Sequence, residues 1–242
     1  PTAPTGFEAT GRTDVFVIKD SLASRATGGS VEAYKASMIT NLPTVGDSYV
    51  AGYGPWIITA DPASSGTITV PPGGSVAGTY SRIDSTIGVF RAPAGIVATL
   101  QGVLGVDTKF TDSQLGELNN ANVNVIRPVA GAGIAIMGAR TGKQYGADRY
   151  VSARRTLIYI KESLRRSTQF ALFENNDQRL WSMLTMTAER VLRPLWEEGG
   201  LRGASAAEAY FIKCDASINT PAVINSGEVR MERRLRPQRS PC

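Results

Sequence analysis

The sequence predicts an α+β fold in which a mixed β-sheet packs with two long helices. Short runs of β-branched and aromatic residues predict strands over Asp14–Asp20, Asn122–Arg127 and Gly133–Met137, the last two as a hairpin. Apolar residues at three- and four-residue spacing predict helices over Asp148–Thr168 and Asn176–Glu198. Strands and helices do not alternate as repeated βαβ units, so α+β fits better than a parallel α/β sheet.

The first quarter of the chain is predicted to contain short elements. Ser30 can cap a short helix over Ser30–Met38. A strand over Asp47–Thr59 is expected to bend or bulge near its middle, because glycine and proline occur there at Gly52, Gly54 and Pro55. Thr67–Val70 alternates and predicts another short strand.

A segment rich in glycine and proline follows. Pro71–Gly74 has the composition of a turn. Ser75–Asp84 predicts one helical pass, with an inward side formed by Val76, Ala77, Tyr80 and Ile83. Ile87–Ala92 is predicted to be extended. Thr111–Asn119 predicts a capped helix that points Leu115 and Leu118 inward.

The two long helices are predicted to provide most of the packed apolar residues in the second half of the chain. Their inward stripes are Ala153, Leu157, Ile160 and Leu164, and then Leu180, Leu184, Val191 and Leu195, with Trp181, Ala188, Leu192 and Trp196 beside the second stripe. Pro194 predicts a kink or a helix end. Two last strands are predicted over Ala209–Cys214 and Glu228–Glu232.

Charge is distributed unevenly along the chain. Residues 1–120 carry 7 basic and 10 acidic side chains, whereas residues 121–242 carry 19 basic and 11 acidic ones. A basic half suggests an acidic partner, which could be nucleic acid, an anionic surface or another protein, although a solvated surface explains the excess equally well.

Catalytic and cofactor sites are not expected. The chain has no histidine, which excludes histidine-based triads and histidine metal sites. Gly138–Lys143 has the wrong spacing for a phosphate loop, and Gly73–Ala77 lacks the last glycine of a nucleophile elbow. Cys214 and Cys242 do not make a disulfide framework or a zinc site. We therefore predict a protein that is not an enzyme and that has no cofactor or metal.

A series of short motifs, taken together, indicates a resemblance to a protein family. In chain order they are Tyr53–Trp56, Val70–Gly78, Arg82–Asp84, Gly88–Ala94, Leu118–Asn124, Gly138–Thr141, Arg154–Arg155, Phe173–Asn176, Leu195–Trp196 with Gly199, and Asn219–Thr220. Each is weak alone, but their order is specific. With them the chain resembles the C-terminal portion of the sheath proteins of contractile phage tails and related injection machines.

The resemblance implies a structural role. Such proteins form a helical sheath around a tail tube, and contraction drives the tube through the target envelope for delivery of a genome or effector. It implies a proximal α/β domain over residues 1–95 and a tube-facing C-terminal domain over residues 96–242 with a truncated arm. Expected partners are other sheath subunits, the tube protein, and baseplate and tail terminator proteins, without membrane insertion or direct nucleic-acid contact. The expected location is a virion tail assembled in the host cytoplasm.

The resemblance also gives candidate interface residues. A tube-facing basic set would consist of Arg149, Arg154, Arg155, Lys161, Arg165, Arg166 and Arg179. Candidates for the arm that exchanges strands between neighbours are Glu228, Val229, Arg230, Met231 and Glu232. Within the glycine-rich segment, Asp84 is expected to form an ion pair with Arg82 or Arg91.

The chain departs from the family pattern at its end. The family continues with a turn resembling Pro-Ala-Glu-Phe and one more apolar strand, whereas this chain reads Arg236–Cys242. The arm and outer domains expected upstream are also missing, so we expect the polypeptide alone to be a soluble, mostly monomeric core. The alternative function is a basic α+β module that binds nucleic acid or an anionic surface, with steeply salt-dependent binding.

Overall fold

The computed structural model describes residues 13–22, 30–42 and 46–237 and contains two compact units. The first unit extends to Arg155, and the second begins at Thr156. The structure contains α-helices together with a mixed β-sheet, so the predicted α+β class is confirmed. The predicted domain boundary between residues 95 and 96 lies inside the first unit and stays a prediction.

Strands and helices follow one another in a definite order within the described residues. They are β1 (Val17–Asp20), α1 (Val31–Asn41), β2 (Val50–Gly54), β3 (Ile57–Ala60), β4 (Thr67–Val70), α2 (Gly73–Thr86), β5 (Val103–Val106), α3 (Asp112–Asn120), β6 (Val123–Val129), β7 (Gly133–Ile136), α4 (Val151–Ser167), α5 (Gln178–Glu197), α6 (Ala206–Ala209), β8 (Tyr210–Lys213), α7 (Pro221–Asn225) and β9 (Glu232–Leu235).

A four-stranded sheet of order β1-β2-β6-β7 forms the centre of the first unit. β1 and β6 each pair in parallel with β2, whereas β6 and β7 form the predicted antiparallel hairpin. Every residue of β2 is buried, which is typical of a central strand covered on both faces. β1 is shorter than predicted and begins only at Val17.

The predicted strand over Asp47–Thr59 is wrong as one element. The chain forms β2 and β3 there, and these strands belong to different sheets. Pro55 lies between them, and its missing N–H cannot continue a strand ladder. β3 then pairs with both β4 and β5 in a three-stranded antiparallel sheet.

α2 begins earlier than predicted. Gly73 and Gly74 already belong to the helix, so the predicted turn is limited to the two prolines before them. Val76, Tyr80 and Ile83 are buried as predicted, but Ala77 is exposed and Thr79 is buried in its place. Ile87–Ala92 forms turns rather than an extended strand.

α1 and α3 pack beside β2 and β6. Tyr34, Met38 and Leu42 from α1 join Leu118 from α3 in one buried cluster. Gly52 of β2 permits the contact, because a Cβ there would lie 2.7 Å from the Leu42 Cβ. Both helix starts are capped: Ser30 accepts from the Ala33 amide, and Thr111 forms a capping box with Gln114.

A buried asparagine connects three segments of the first unit. The Asn124 side chain on β6 donates to the carbonyl oxygens of Gly52, at 3.1 Å, and Arg140, at 2.8 Å. It also accepts from the Arg140 amide at 2.7 Å. Gly138 lies so close that an added Cβ would be 2.8 Å from the Asn124 Oδ1. Gly138, whose segment lacks the spacing of a phosphate loop, therefore makes room for this amide.

The second unit is organised around α5. Its buried stripe is Leu180, Leu184, Ala188, Leu192 and Leu195. Val191, predicted in the stripe, is only half-buried, because the spacing of the buried residues places Ala188 and Leu192 inward instead. Pro194 lies inside the last turn, and α5 continues to Glu197 before Gly199 adopts a φ of 85°.

The last strand is displaced from its predicted place. β9 covers Glu232–Leu235 rather than Glu228–Glu232, and it pairs antiparallel with β8. Side-chain amides hold the backbone just before it, because Asn176 donates to the Glu228 carbonyl and Asn219 bonds both backbone groups of Arg230. The backbone groups of Glu228 and Arg230 therefore bond to side chains rather than to a neighbouring strand.

Asn124→Ala is expected to lower the free energy of unfolding by about 3 kcal/mol, because three buried backbone groups lose their partner. Denaturant titration of both proteins measures the change. The control is Asn120→Ala at the exposed end of α3, which should change stability by less than about 0.5 kcal/mol. Equal, small effects of the two substitutions would contradict the role given to Asn124.

Candidate interaction surfaces

No helix in the described parts of the chain is long and apolar enough to cross a membrane. Among the same residues, no group of three or more histidine, cysteine, aspartate or glutamate side chains could hold a metal ion. Of the seven basic residues predicted to face a partner, three lie in the first unit and four in the second.

Arg155 is engaged inside the first unit. Its guanidinium forms two hydrogen bonds with the Asp84 carboxylate of α2, one of them at 3.1 Å, and its Cζ lies 4.3 Å from the centre of the Tyr80 ring. Its side chain is only 13% exposed. A guanidinium that is largely buried requires a partner of opposite charge, because burying an unpaired charge costs free energy.

The predicted partners of Asp84 are wrong. Asp84 pairs with Arg155, whereas Arg82 donates to the carbonyl oxygen of Thr99 at 2.7 Å and, more weakly, to that of Val97 at 3.4 Å. Residues two apart on a helix point in different directions, so Arg82 and Asp84 face different neighbours.

Tyr80 extends this arrangement into the core. Its hydroxyl bonds the Tyr53 hydroxyl of β2, and the two rings meet edge to face. Burial raises the pKa of both phenols well above the ordinary value. A cleft of about 600 Å³ opens beside the group and is lined by Phe16, Ile18, Ala77, Tyr80, Ser81, Asp84, Ser85 and Arg155.

Arg154 and Arg149 also belong to the first unit. Arg154 binds Asp148 at 2.8 Å and the Tyr49 hydroxyl at 3.1 Å, and its Cζ lies 4.3 Å from the centre of that ring. Its side chain is 11% exposed. Arg149 is half-buried just before α4, where its carbonyl accepts from the Thr141 amide.

The other four predicted residues are exposed on the second unit. Arg165 and Arg166, near the end of α4, share the Glu162 carboxylate at 2.7 and 2.8 Å. Hydrogen bonds from these two guanidinium groups lower the pKa of Glu162 to about 2. Lys161 and Arg179 are exposed on α4 and α5. The seven predicted residues thus divide into Arg149, Arg154 and Arg155, which are half-buried or largely buried in the first unit, and four residues that are exposed on the second.

An apolar surface follows the exposed arginines and was missed in the sequence. The 3-10 turn Gln169–Phe173 connects α4 to α5 and exposes Phe170, Leu172 and Phe173 at 40%, 76% and 97%. Three large apolar side chains exposed on one short turn are unusual for a surface that stays in water. Their clustering in Gln169–Phe173 was the available signal.

The basic excess of the second half lies mainly within the first unit. Residues 121–155 carry 6 basic side chains and 1 acidic one, whereas residues 156–238 carry 12 basic and 10 acidic ones. Beyond Arg154 and Arg155, several of the former are also engaged: Arg140 donates to the Asn119 carbonyl at 2.6 Å and Lys143 lies 3.4 Å from Asp148. Much of this charge therefore serves the fold, which disfavours the alternative of a nucleic-acid-binding module.

Several of the short motifs quoted above bind one another in space. Asp84 binds Arg155, and Asn124 binds Arg140. The motifs thus specify internal hydrogen bonds and ion pairs rather than a reactive centre.

The chain belongs to the phage tail sheath family. Residues 21–142 match the phage tail sheath protein central domain, and residues 147–240 match the phage tail sheath C-terminal domain. The two matches cover most of the chain and confirm the resemblance inferred from the motifs.

Known relatives agree with this assignment. The tail sheath protein of Enterobacteria phage T4 is 26% identical over 175 residues, which are 71% of this chain and 25% of that protein. A chain of the anti-feeding prophage baseplate is 29% identical with a TM-score of 0.78, over 93% of this chain and 57% of that one.

A second solved relative is a sheath complex in its contracted state. It comes from the extracellular contractile injection system PVC and is 30% identical with a TM-score of 0.80, over 93% of this chain and 61% of that one. The chain therefore spans about a quarter of the T4 protein and about three-fifths of the solved relatives.

Asp84→Asn is expected to lower the free energy of unfolding by about 2 kcal/mol, because it leaves the largely buried Arg155 without its counter-charge. Thermal or denaturant unfolding measures the loss. The matched control is Asp112→Asn, whose carboxylate is fully exposed 3.6 Å from Arg127 and should matter by less than about 1 kcal/mol. A loss no larger than that of the control would contradict the pairing.

Glu162 is expected to titrate with a midpoint near 2 in the folded protein. Because the pKa of Glu162 in the folded protein lies below its ordinary value of 4.5, the cluster stabilises the fold above pH 4.5 and loses this contribution as the pH falls toward 2. Carbon-detected NMR titration of the carboxyl group measures the midpoint. Replacing Arg165 and Arg166 by glutamine should raise it toward 4.5, whereas Arg179→Gln should not; an unchanged midpoint in the first variant would contradict the assigned cause.

Proposed function

We propose that the chain is the core of a structural subunit of a contractile tail sheath. In this role, copies polymerise as a helix around a tail tube, and contraction drives the tube through the target envelope to deliver a genome or effector. The observation that carries the proposal is the match of both sheath domains over most of the chain. The similarity to a sheath complex in the contracted state supports it.

The proposed partners follow from this role. They are other copies of the subunit, the tube protein, and baseplate and terminator proteins, and the similarity to a chain of the anti-feeding prophage baseplate supports the baseplate. The proposal includes no catalytic step and no cofactor, because the work is done by contacts between subunits that have two stable arrangements. Its location is the tail of a virion or related particle, assembled in the host cytoplasm.

The tube-facing surface of the second unit is proposed to include the exposed basic residues Lys161, Arg165, Arg166 and Arg179. In the first unit, half-buried Arg149 is proposed as a separate contact, whereas Arg154 and Arg155 are proposed to act only indirectly, because their internal partners fix the first turn of α4. Phe173 lies on the turn that follows Arg165 and Arg166 in the chain, so the proposed surface also offers an exposed apolar side chain.

The contact between copies is proposed to use the β8–β9 ribbon. A two-stranded ribbon has open edges along which another chain can add a strand through backbone hydrogen bonds. The predicted strand-exchange segment Glu228–Glu232 leads into this ribbon, and only Glu232 belongs to β9. We propose that these residues position the ribbon for the neighbouring chain.

Reversing Arg165 and Arg166 to glutamate is expected to reduce binding of the subunit to purified tubes at least tenfold, since two attractive contacts with an acidic surface become repulsive. Cosedimentation with tubes measures bound protein. The matched control reverses Arg190 and Arg193, two exposed arginines of α5, and therefore has the same net charge.

The control should bind tubes as the unmodified chain does. Because the Arg165/Arg166 variant also loses its ion pairs with Glu162, binding is compared under conditions in which circular dichroism shows both variants to be folded. Equal binding by the two variants would show that overall charge, rather than the end of α4, determines attachment. Undiminished binding by the Arg165/Arg166 variant would overturn the proposed tube-facing surface.

A further inference from the structure

The backbone that enters β9 is held by side chains. The Asn219 amide binds both backbone groups of Arg230, because its Oδ1 accepts from the N–H at 2.7 Å and its Nδ2 donates to the carbonyl at 3.0 Å. Two residues earlier, the Asn176 Nδ2 donates to the Glu228 carbonyl at 2.7 Å. Two asparagines from distant parts of the sequence thus hold one short segment.

Both amides are themselves fixed in orientation. Asn219 is 1% exposed, and its Nδ2 also donates to the Asp215 carbonyl at 3.2 Å. The Asn176 Oδ1 accepts from the Trp181 indole N–H at 2.8 Å, so its NH₂ group must point to Glu228. The holding geometry is therefore determined by the body of the second unit.

β9 needs such support because its own contacts are few. Glu232, Arg233 and Arg234 are exposed, and only Leu235 is partly buried. A two-stranded ribbon is marginally stable alone, and a strand without a buried apolar face specifies its register weakly. A fixed point immediately before the strand can supply that register.

We infer that Asn219, supported by Asn176, is a positioning residue that fixes the start and the register of β9 on β8. The ribbon edge is then formed before another strand reaches it, which reduces the ordering cost of strand addition. The role in assembly rests on the proposed function, whereas the positioning itself is a property of the free chain.

Hydrogen exchange of two backbone amides tests the inference on the 242-residue chain. The Arg230 amide reports the bond to Asn219. The Arg234 amide reports β9, because Arg234 lies opposite Phe211 of β8. Two residues later the Arg236 amide donates to the carbonyl of Ala209, directly before β8, and alternate residues of a strand point the same way. Asn219→Ala is expected to speed exchange at both amides about tenfold or more.

Two comparisons make the result specific. The Leu184 amide in α5 should exchange at its usual rate, which separates a local loss of order from a general loss of stability. Asn225→Ala, at the exposed end of α7, should leave Arg230 and Arg234 unchanged. Unchanged exchange at Arg234 in Asn219→Ala overturns the inference, even if Arg230 becomes faster.

Asn176→Ala provides the second variant. If Asn219→Ala destabilises the whole unit, seen as faster exchange at Leu184, then faster exchange at Arg234 with unchanged exchange at Leu184 in Asn176→Ala supports the inference, and unchanged exchange at Arg234 overturns it. Failure of the sheath proposal is distinguishable, because the unmodified chain would then not bind tubes while the exchange results stayed the same.

Discussion

The ion pair between Arg155 and Asp84 is the contact on which the organisation of the first unit depends most. It joins the start of α4 to α2, and the same guanidinium covers Tyr80, whose hydroxyl continues to Tyr53 in the central sheet. A charge this largely buried requires a partner, so separating α4 from α2 would leave an uncompensated cation. Arg155, which was predicted from the sequence to contact a partner, is therefore engaged within the fold.

Two buried asparagine side chains, Asn124 and Asn219, likewise hold separate segments of the chain together. Asn124 gathers the backbone of Gly52 and Arg140, and Asn219 holds Arg230 before the last strand. Each supplies partners for backbone groups outside the named strands, those of Arg140 and Arg230, and buried backbone groups without partners are rare in proteins. In a subunit proposed to change its contacts with neighbours, such internal bonds let each unit keep its own structure while the contacts change.

Periodic patterns in the sequence predicted much of this fold. The remainder depends on contacts between residues far apart in the sequence and could not be predicted. The helices α4 and α5 and the β6–β7 hairpin have local signals of spacing and turn chemistry, and they were predicted. The pairing of Asp84 with Arg155, 71 residues apart, has no local signal, and neither has the displacement of β9 by Asn176 and Asn219. The interface residues remain predictions for the same reason, since half of an interface lies on another chain.

Cryo-electron microscopy of sheath assembled from this subunit on its tube tests the central claim most directly. Our account predicts that Arg154 and Arg155 keep their bonds to Asp148 and Asp84 in the assembled particle, that the end of α4 faces the tube, and that a strand of a neighbouring copy lies along the β8–β9 ribbon. Arg155 released from Asp84 to bind the tube, or a ribbon whose edges stay open in the sheath, would contradict it.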